Sequence, residues 1–181
     1  MRSLSKESVS LEEKVGAGSP PGPPPLEPFG LVLHHDARWS HEGQPILNRK
    51  LREKFDRSVV YLPVEAKYVV RIGHFRGEIE LEEAGFFVRD FEMETGEVLL
   101  SDGSREILLV ESLRLSPRDG ALLCQVKANL VAGGLPARFS HSAQAEFLGG
   151  VEPEAGSFFL VLGPRRVRLP GTLGPAPPWD D

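Results

Sequence analysis

The sequence is poor in the residues that announce chemistry. It has one cysteine, Cys124, so no intrachain disulfide can form and nothing in its thiol content points to an oxidising compartment. No apolar run approaches the roughly 20 residues that span a bilayer. The opening "MRSLSKESVSLEEKV" carries charges where a secretory leader needs an apolar stretch. There is no Gly-x-x-x-x-Gly-Lys-Ser/Thr loop, no Gly-x-Gly-x-x-Gly after a strand, and no Gly-x-Ser-x-Gly nucleophile elbow. Excess positive charge is also missing: the formal net charge is -5, which argues against a chain that coats a nucleic acid polymer. These absences lead us to expect a cytoplasmic protein that neither crosses a membrane nor binds nucleic acid.

What is present suffices for a core. Hydrophobic residues make up 40% and charged residues 26% of 181 positions, enough for one ordinary domain or two small halves. Residues 1–27 end in "GAGSPPGPPPLEP", whose proline and glycine density suits a disordered tail, or a ligand for a proline-recognising protein partner. The close, "PGTLGPAPPWDD", reads as a second short tail over 171–181, with Trp179 either packing back or idle.

Between the tails, two helices stand in a strand-rich background. "NRKLREKF" offers Asn48 as N-cap with Leu51 and Phe55 four apart, extended by Leu47 and Val59. "SHSAQAEFLGG" offers Ser140 as N-cap, Ala143 and Phe147 four apart, and Gly149-Gly150 as a left-handed stop. The rest alternates as hairpins: "GLVLHH" with "RWSHEG" about a tight Asp36-Ala37 turn, "KYVVRIGHF" with "GEIELEE" broken at Gly77, and "GFFVRDFEM" with "EVLLSD" at Thr95-Gly96. "REILLV" follows Asp102-Gly103, "SLRLS" meets "ALLCQVKANL" at Asp119-Gly120, and "SFFLVL" meets "RRVRL" at Gly163-Pro164.

These elements fall into two matching halves, 28–95 and 96–170, each β-β-α-β-β, which predicts an α+β fold with duplicated units and antiparallel sheets. In both halves a proline precedes the capped helix, and the apolar positions lie three and seven residues beyond the cap. The halves differ in charge: Glu78 and Glu80 flank Ile79 where Arg166 and Arg168 flank Val167. Period-2 geometry puts each charged pair on one strand face. That face is either solvated or, for Arg166 and Arg168, turned toward an anionic ligand.

The stretches "FGLVLHHDARWSHEGQPI", "YVVRIGHFRGEIELEEAGFFVRDF" and "ARFSHSAQAEFL" resemble, in that order, a bacterial family known as domain of unknown function 1285, over roughly Phe29 to Leu169. The resemblance implies a duplicated α+β core whose C-terminal half is superficially pleckstrin-homology-like. It also implies a site between the halves for a nucleotide-like small molecule, and a signalling role. The sequence departs from the family pattern in its long proline-rich N-terminus and in "VRIGHF", where the family more often has Thr-Pro.

Individual constellations refine this. Ser140-His141-Ser142 looks like chemistry, yet neighbours at a helix start do not face each other, and Ser140 suits a cap. His34 and His35, adjacent in a strand, point to opposite faces; a two-residue turn sets His34 opposite Trp39 and His41 opposite Val32, so no metal site is expected. Cys124 reads as core. Lys50, Lys54 and Arg57 form one helical stripe, and Arg49 can pair with Glu53. The alternation of Asp90, Glu92 and Glu94 with Phe91 and Met93 reads as a half-solvated strand. Arg138, just before a helix N-terminus, suits an anion, and Trp39 at the equivalent joint offers a stacking surface.

The sequence therefore points to a non-enzymatic ligand-binding or regulatory module without cofactor, metal or catalytic residues. Its expected ligand site consists of Trp39, Arg138, Arg166 and Arg168. A protein-interaction domain without a small ligand is the alternative, and a hydrolase the third.

Overall fold

The computed structural model describes residue 26 and residues 28–173. The expected tail over 1–27, apart from residue 26, and Trp179 lie outside the described residues. Of the other expected tail, over 171–181, Gly171–Leu173 is described: it forms a 3-10 turn, and Leu173 packs on the core.

The first sheet holds β1 (Pro28–Leu33), β2 (Trp39–His41), β3 (Gln44–Pro45), β4 (Val59–Leu62), β5 (Lys67–Ile72) and β6 (Phe75–Leu81), in the order β3-β2-β1-β6-β5-β4. Helix α1 (Arg49–Ser58) joins β3 to β4 and packs on β5. The second sheet holds β7 (Phe86–Glu92), β8 (Glu97–Leu100), β9 (Arg105–Ile107), β10 (Arg114–Leu115), β11 (Leu122–Val126) and β12 (Leu135–Phe139), in the order β10-β11-β12-β7-β8-β9. A 3-10 turn at Val110–Ser112 stands where the first sheet has α1. Helix α2 (His141–Gly149) then leads into a meander of β13 (Val151–Glu154), β14 (Ser157–Leu162) and β15 (Arg165–Arg168).

The duplication is present: two six-stranded sheets share one topology, each closed by a parallel pair between its first and last strand, β1 with β6 and β7 with β12. All other pairings are antiparallel. The fold is α+β, as expected, but the repeating unit is longer than β-β-α-β-β. The expected boundary at 95/96 falls inside the β7–β8 hairpin, whereas the sheets part between Leu81 and Phe86. The matching caps had aligned α2 with α1. Sheet topology instead aligns α1 with the 3-10 turn, because strand pairing rather than helix phase sets the unit.

Local chemistry explains both helices. Asn48 accepts a hydrogen bond from Leu51 N–H, and Ser140 accepts one from Ala143 N–H. Each such cap is worth about 1 kcal/mol. Ala143 and Phe147 are buried as expected, with Phe147 against the rings of Phe91 and Phe139. On α1 only Phe55 is buried; Leu51 is 38% and Leu47 80% exposed, because the helix leans on Trp39 and β5 along a narrower seam than its pattern suggests. The end of α2 also differs from expectation. Gly150 has φ -96, so no left-handed stop occurs. A Cβ there would stand 1.9 Å from Met93 Cε, the far end of a flexible side chain that would have to swing aside.

Two turns are corrected. The β1–β2 loop has three residues, His35-Asp36-Ala37, with Ala37 at φ 63, so Leu33 rather than His34 faces Trp39 and Leu31 faces His41. The β5–β6 turn sits at Gly73-His74, while Gly77 lies within β6 beneath Phe29 and Phe75.

One continuous core runs through both sheets and the meander. Phe86, Phe87 and Val88 are all buried, as are Leu122, Leu123 and Cys124, so β7 and β11 are covered on both faces. Burial pushes the Cys124 thiol up to about 12, which makes it an inert core residue. No helix among the described residues is long and apolar enough to cross a membrane.

Where the sheets part, Gly85 lies under the Tyr68 ring, and a Cβ would meet Tyr68 Cε1 at 2.2 Å. We expect Gly85→Ala to lower stability by about 1–3 kcal/mol in urea titration. Gly171→Ala, with nothing within 4 Å, should stay near wild type. Equal stability of both variants would contradict this packing of the two sheets.

Candidate anion site between the sheets

A cleft with converging charges lies between α1 and the second sheet. Its volume is about 470 Å³. From α1 come Arg49, Arg52, Glu53, Asp56 and Arg57, which recur at helical spacing on the side facing β7–β8. From β7 comes Arg89. It is the extra residue of a bulge, since Val88 pairs with Leu100 while Asp90 pairs with Leu99. A bulge re-aims the side chain it carries, and here it turns Arg89 to α1. Ser101 and Gly103 complete the wall beyond β8.

The polar contacts are asymmetric. Asp56 Oδ1 accepts from Trp39 Nε1–H at 2.8 Å, and Asp56 Oδ2 accepts from Arg89 Nη2–H at 2.6 Å. Burial raises the Asp56 pKa, opposed by these bonds and by the nearby Arg89 and Arg52 charges. Arg49 Nε–H donates to Glu53 at 2.7 Å, the expected i,i+4 pair. The Arg52 Nε–H is buried and has no acceptor among the described residues. Four guanidinium groups thus face two carboxylates, an excess of two positive charges in a chain of net charge -5.

The four residues expected to form the site are not brought together, and they sit in three different sheets. Trp39 is 1% exposed and packs on Phe55, so it offers no stacking face; only its N–H reaches the cleft, through Asp56. Arg138 lies within β12, clasped by Glu83 at 2.5 Å and by Asp119. Its charge is spent inside the protein rather than at the α2 N-terminus. Arg166 is held by Glu152 and Glu154 and stacks on Phe159, 4.4 Å from the ring centre. Arg168 donates to Ser157 Oγ at 3.0 Å. Of the expected Lys50, Lys54 and Arg57 stripe, only Arg57 lines the cleft. The signal that marks it is the neighbouring face, Arg49, Arg52 and Asp56 at i, i+3 and i+7.

The histidines also behave differently from expectation. His35 is in the turn, not the strand, so His34 and His35 converge. Their Nδ1 atoms lie 2.7 and 2.6 Å from the two oxygens of Glu82, and His35 N–H donates to the same carboxylate at 3.0 Å. Next along the chain, Glu83 accepts from Ser116 Oγ–H and Arg138. The linker between the sheets is therefore pinned to the first sheet by Glu82 and to the second by Glu83. Among the described residues no three His, Cys, Asp or Glu side chains are arranged to hold a metal ion. Ser140 Oγ is engaged as the α2 cap, and His141 is exposed beside it.

No family model and no curated protein matches the sequence. Solved structures do match. A DUF1285 family protein from Silicibacter pomeroyi is 18% identical with a TM-score of 0.53, over 84% of this chain and 90% of that one. A DUF1285 family protein from Shewanella baltica is 14% identical with a TM-score of 0.46, over 67% of this chain and 91% of that one. The first likeness shows that the fold is shared with DUF1285 proteins, in agreement with the resemblance seen in the sequence.

The Glu82 clamp yields a pH dependence. Hydrogen bonds from the His35 side chain, the His35 backbone and the His34 side chain hold the Glu82 carboxyl at about 2, below its ordinary 4.5. A depressed carboxyl pKa adds stability that is complete above about 4.5 and disappears as pH falls toward 2. Urea titrations should show wild type more stable than Glu82→Gln at neutral pH, with the gap closing over that window. A gap that is constant with pH would contradict the clamp.

Proposed function

We propose that this chain is a non-enzymatic ligand-binding module, with a regulatory or signalling role, whose cleft between α1 and β7–β8 takes a small nucleotide-like anion. The observation that carries this reading is the unbalanced cluster of Arg49, Arg52, Arg57 and Arg89 around Glu53 and Asp56. The volume lies within the range of roughly 300–1,000 Å³ usual for small-molecule sites. The buried, unpaired Arg52 Nε–H is a donor awaiting an acceptor, and guanidinium groups suit phosphate oxygens in pairs.

A regulatory role follows from where the cleft lies. Asp56 ties α1 and Trp39 of the first half to Arg89 of the second. An anion that draws Arg89 away from Asp56 loosens one contact between the halves and replaces it with its own. Ligand binding thereby biases how the two sheets meet, the requirement for coupling a site to a conformational state. The proposal takes the chain as a cytoplasmic bacterial protein.

Thermal shift of the full chain with AMP, ATP and inorganic phosphate, against adenosine as the uncharged control, tests the reading. A phosphate-bearing ligand at 100 times its Kd should raise Tm by roughly 5–10 °C. Arg52→Ala should weaken its binding by about tenfold or more while leaving the unliganded Tm near wild type. No stabilisation by any anion, or the same stabilisation in Arg52→Ala, would sink the proposal.

A further inference from the structure

A second cavity has the opposite chemistry. It lies where α2 and the β13–β15 meander meet the second sheet, with a volume of about 280 Å³. Leu122 and Phe147 belong to its inner wall, Phe158 and Leu173 close one side, and Leu115 and Leu148 stand at the mouth, 43% and 54% exposed. No charged side chain lines it. A cavity of about 150 Å³ lined by Leu, Ile and Phe stays dry and holds one benzene. This one is nearly twice that size, room for on the order of ten carbon-sized atoms.

One polar group breaks the apolar lining. Gln144, on the second turn of α2, accepts from Leu122 N–H through Oε1 at 2.9 Å. That bond fixes the amide plane and leaves Nε2 with its two N–H donors. Among the described residues Nε2 donates to nothing, while Gln144 forms part of the cavity wall. The site therefore offers a preorganised donor beside an apolar chamber, the usual pattern of a few placed polar groups in a mostly apolar pocket. An ionised ligand would leave its charge unpaired in apolar surroundings, which is costly.

We infer that this cavity binds an uncharged, medium-length apolar molecule carrying one carbonyl or hydroxyl oxygen, which accepts from Gln144 Nε2. The hydrocarbon part replaces contacts the cavity walls otherwise lack, and the oxygen accepts from a donor that no described residue uses. The occupant bridges α2 and Phe158 to Leu122, so it fastens the meander to the second sheet.

Methyl heptyl ketone, with ten non-hydrogen atoms, is the probe, and nonane and nonanoate are its controls. The full chain is titrated, and the Gln144 side-chain amide is followed by NMR. We expect the Gln144 amide signals to shift with the ketone, with weaker binding of nonane and no binding of nonanoate. Gln144→Glu keeps the acceptor for Leu122 N–H but removes the donor, and Leu148→Trp fills the mouth from an exposed position. Each should weaken the ketone at least tenfold, with the Leu122 amide signal reporting that the fold is intact. Unmoved Gln144 signals, or full affinity in both variants, would overturn the inference. So would ketone binding that appears only in Trp179→Ala, which would make the C-terminal segment the occupant.

Discussion

A carboxylate taken largely out of water must be paired, and Asp56 is paired by both halves of the molecule. One oxygen holds the indole N–H of Trp39 in the first sheet, and the other holds the guanidinium of Arg89 in the second. That requirement fixes the rotamer of a core tryptophan, the face α1 presents, and the aim of the β7 bulge. It also gathers cations. Asp56 draws Arg89 in, Glu53 draws Arg49, and Arg52 is left with a buried donor and no acceptor. The cleft is thus a by-product of structural pairing that ends with charge to spare.

The duplication explains why a cleft forms here at all. Each six-stranded sheet closes with a parallel pair between its first and last strand, and the connector after the third strand lies outside that closure. In the first sheet the connector is α1, three turns long; in the second it is a single 3-10 turn. The longer connector overhangs the neighbouring sheet and makes a roof, whereas the shorter one does not. Meanwhile α2 packs on β7 and β12 of the second sheet, and β7, β11 and β12 are largely buried.

Much of this was legible in the sequence, for local reasons. Caps such as Asn48 and Ser140 act within three residues, and turn glycines such as Gly96 and Gly120 mark φ values other residues avoid. The duplication was legible because strand patterns repeat, although its unit was not, since pairing across β7 and β12 leaves no local trace. The histidines were misplaced by a single loop residue, because a three-residue turn shifts every pairing by one. Arg138 was given to a ligand because its partners, Glu83 and Asp119, stand 55 and 19 residues away. The cleft was missed because α1 carries basic residues on two faces, and only the topology tells which one is roofed.

In the proposed cleft, Asp56 and a bound anion compete for the same guanidinium. Isothermal titration of AMP into wild type and Asp56→Asn in one buffer tests it most directly, since asparagine keeps an acceptor for Trp39 and releases Arg89. Binding should be several-fold tighter in Asp56→Asn. Equal or weaker binding in a folded Asp56→Asn protein would contradict it.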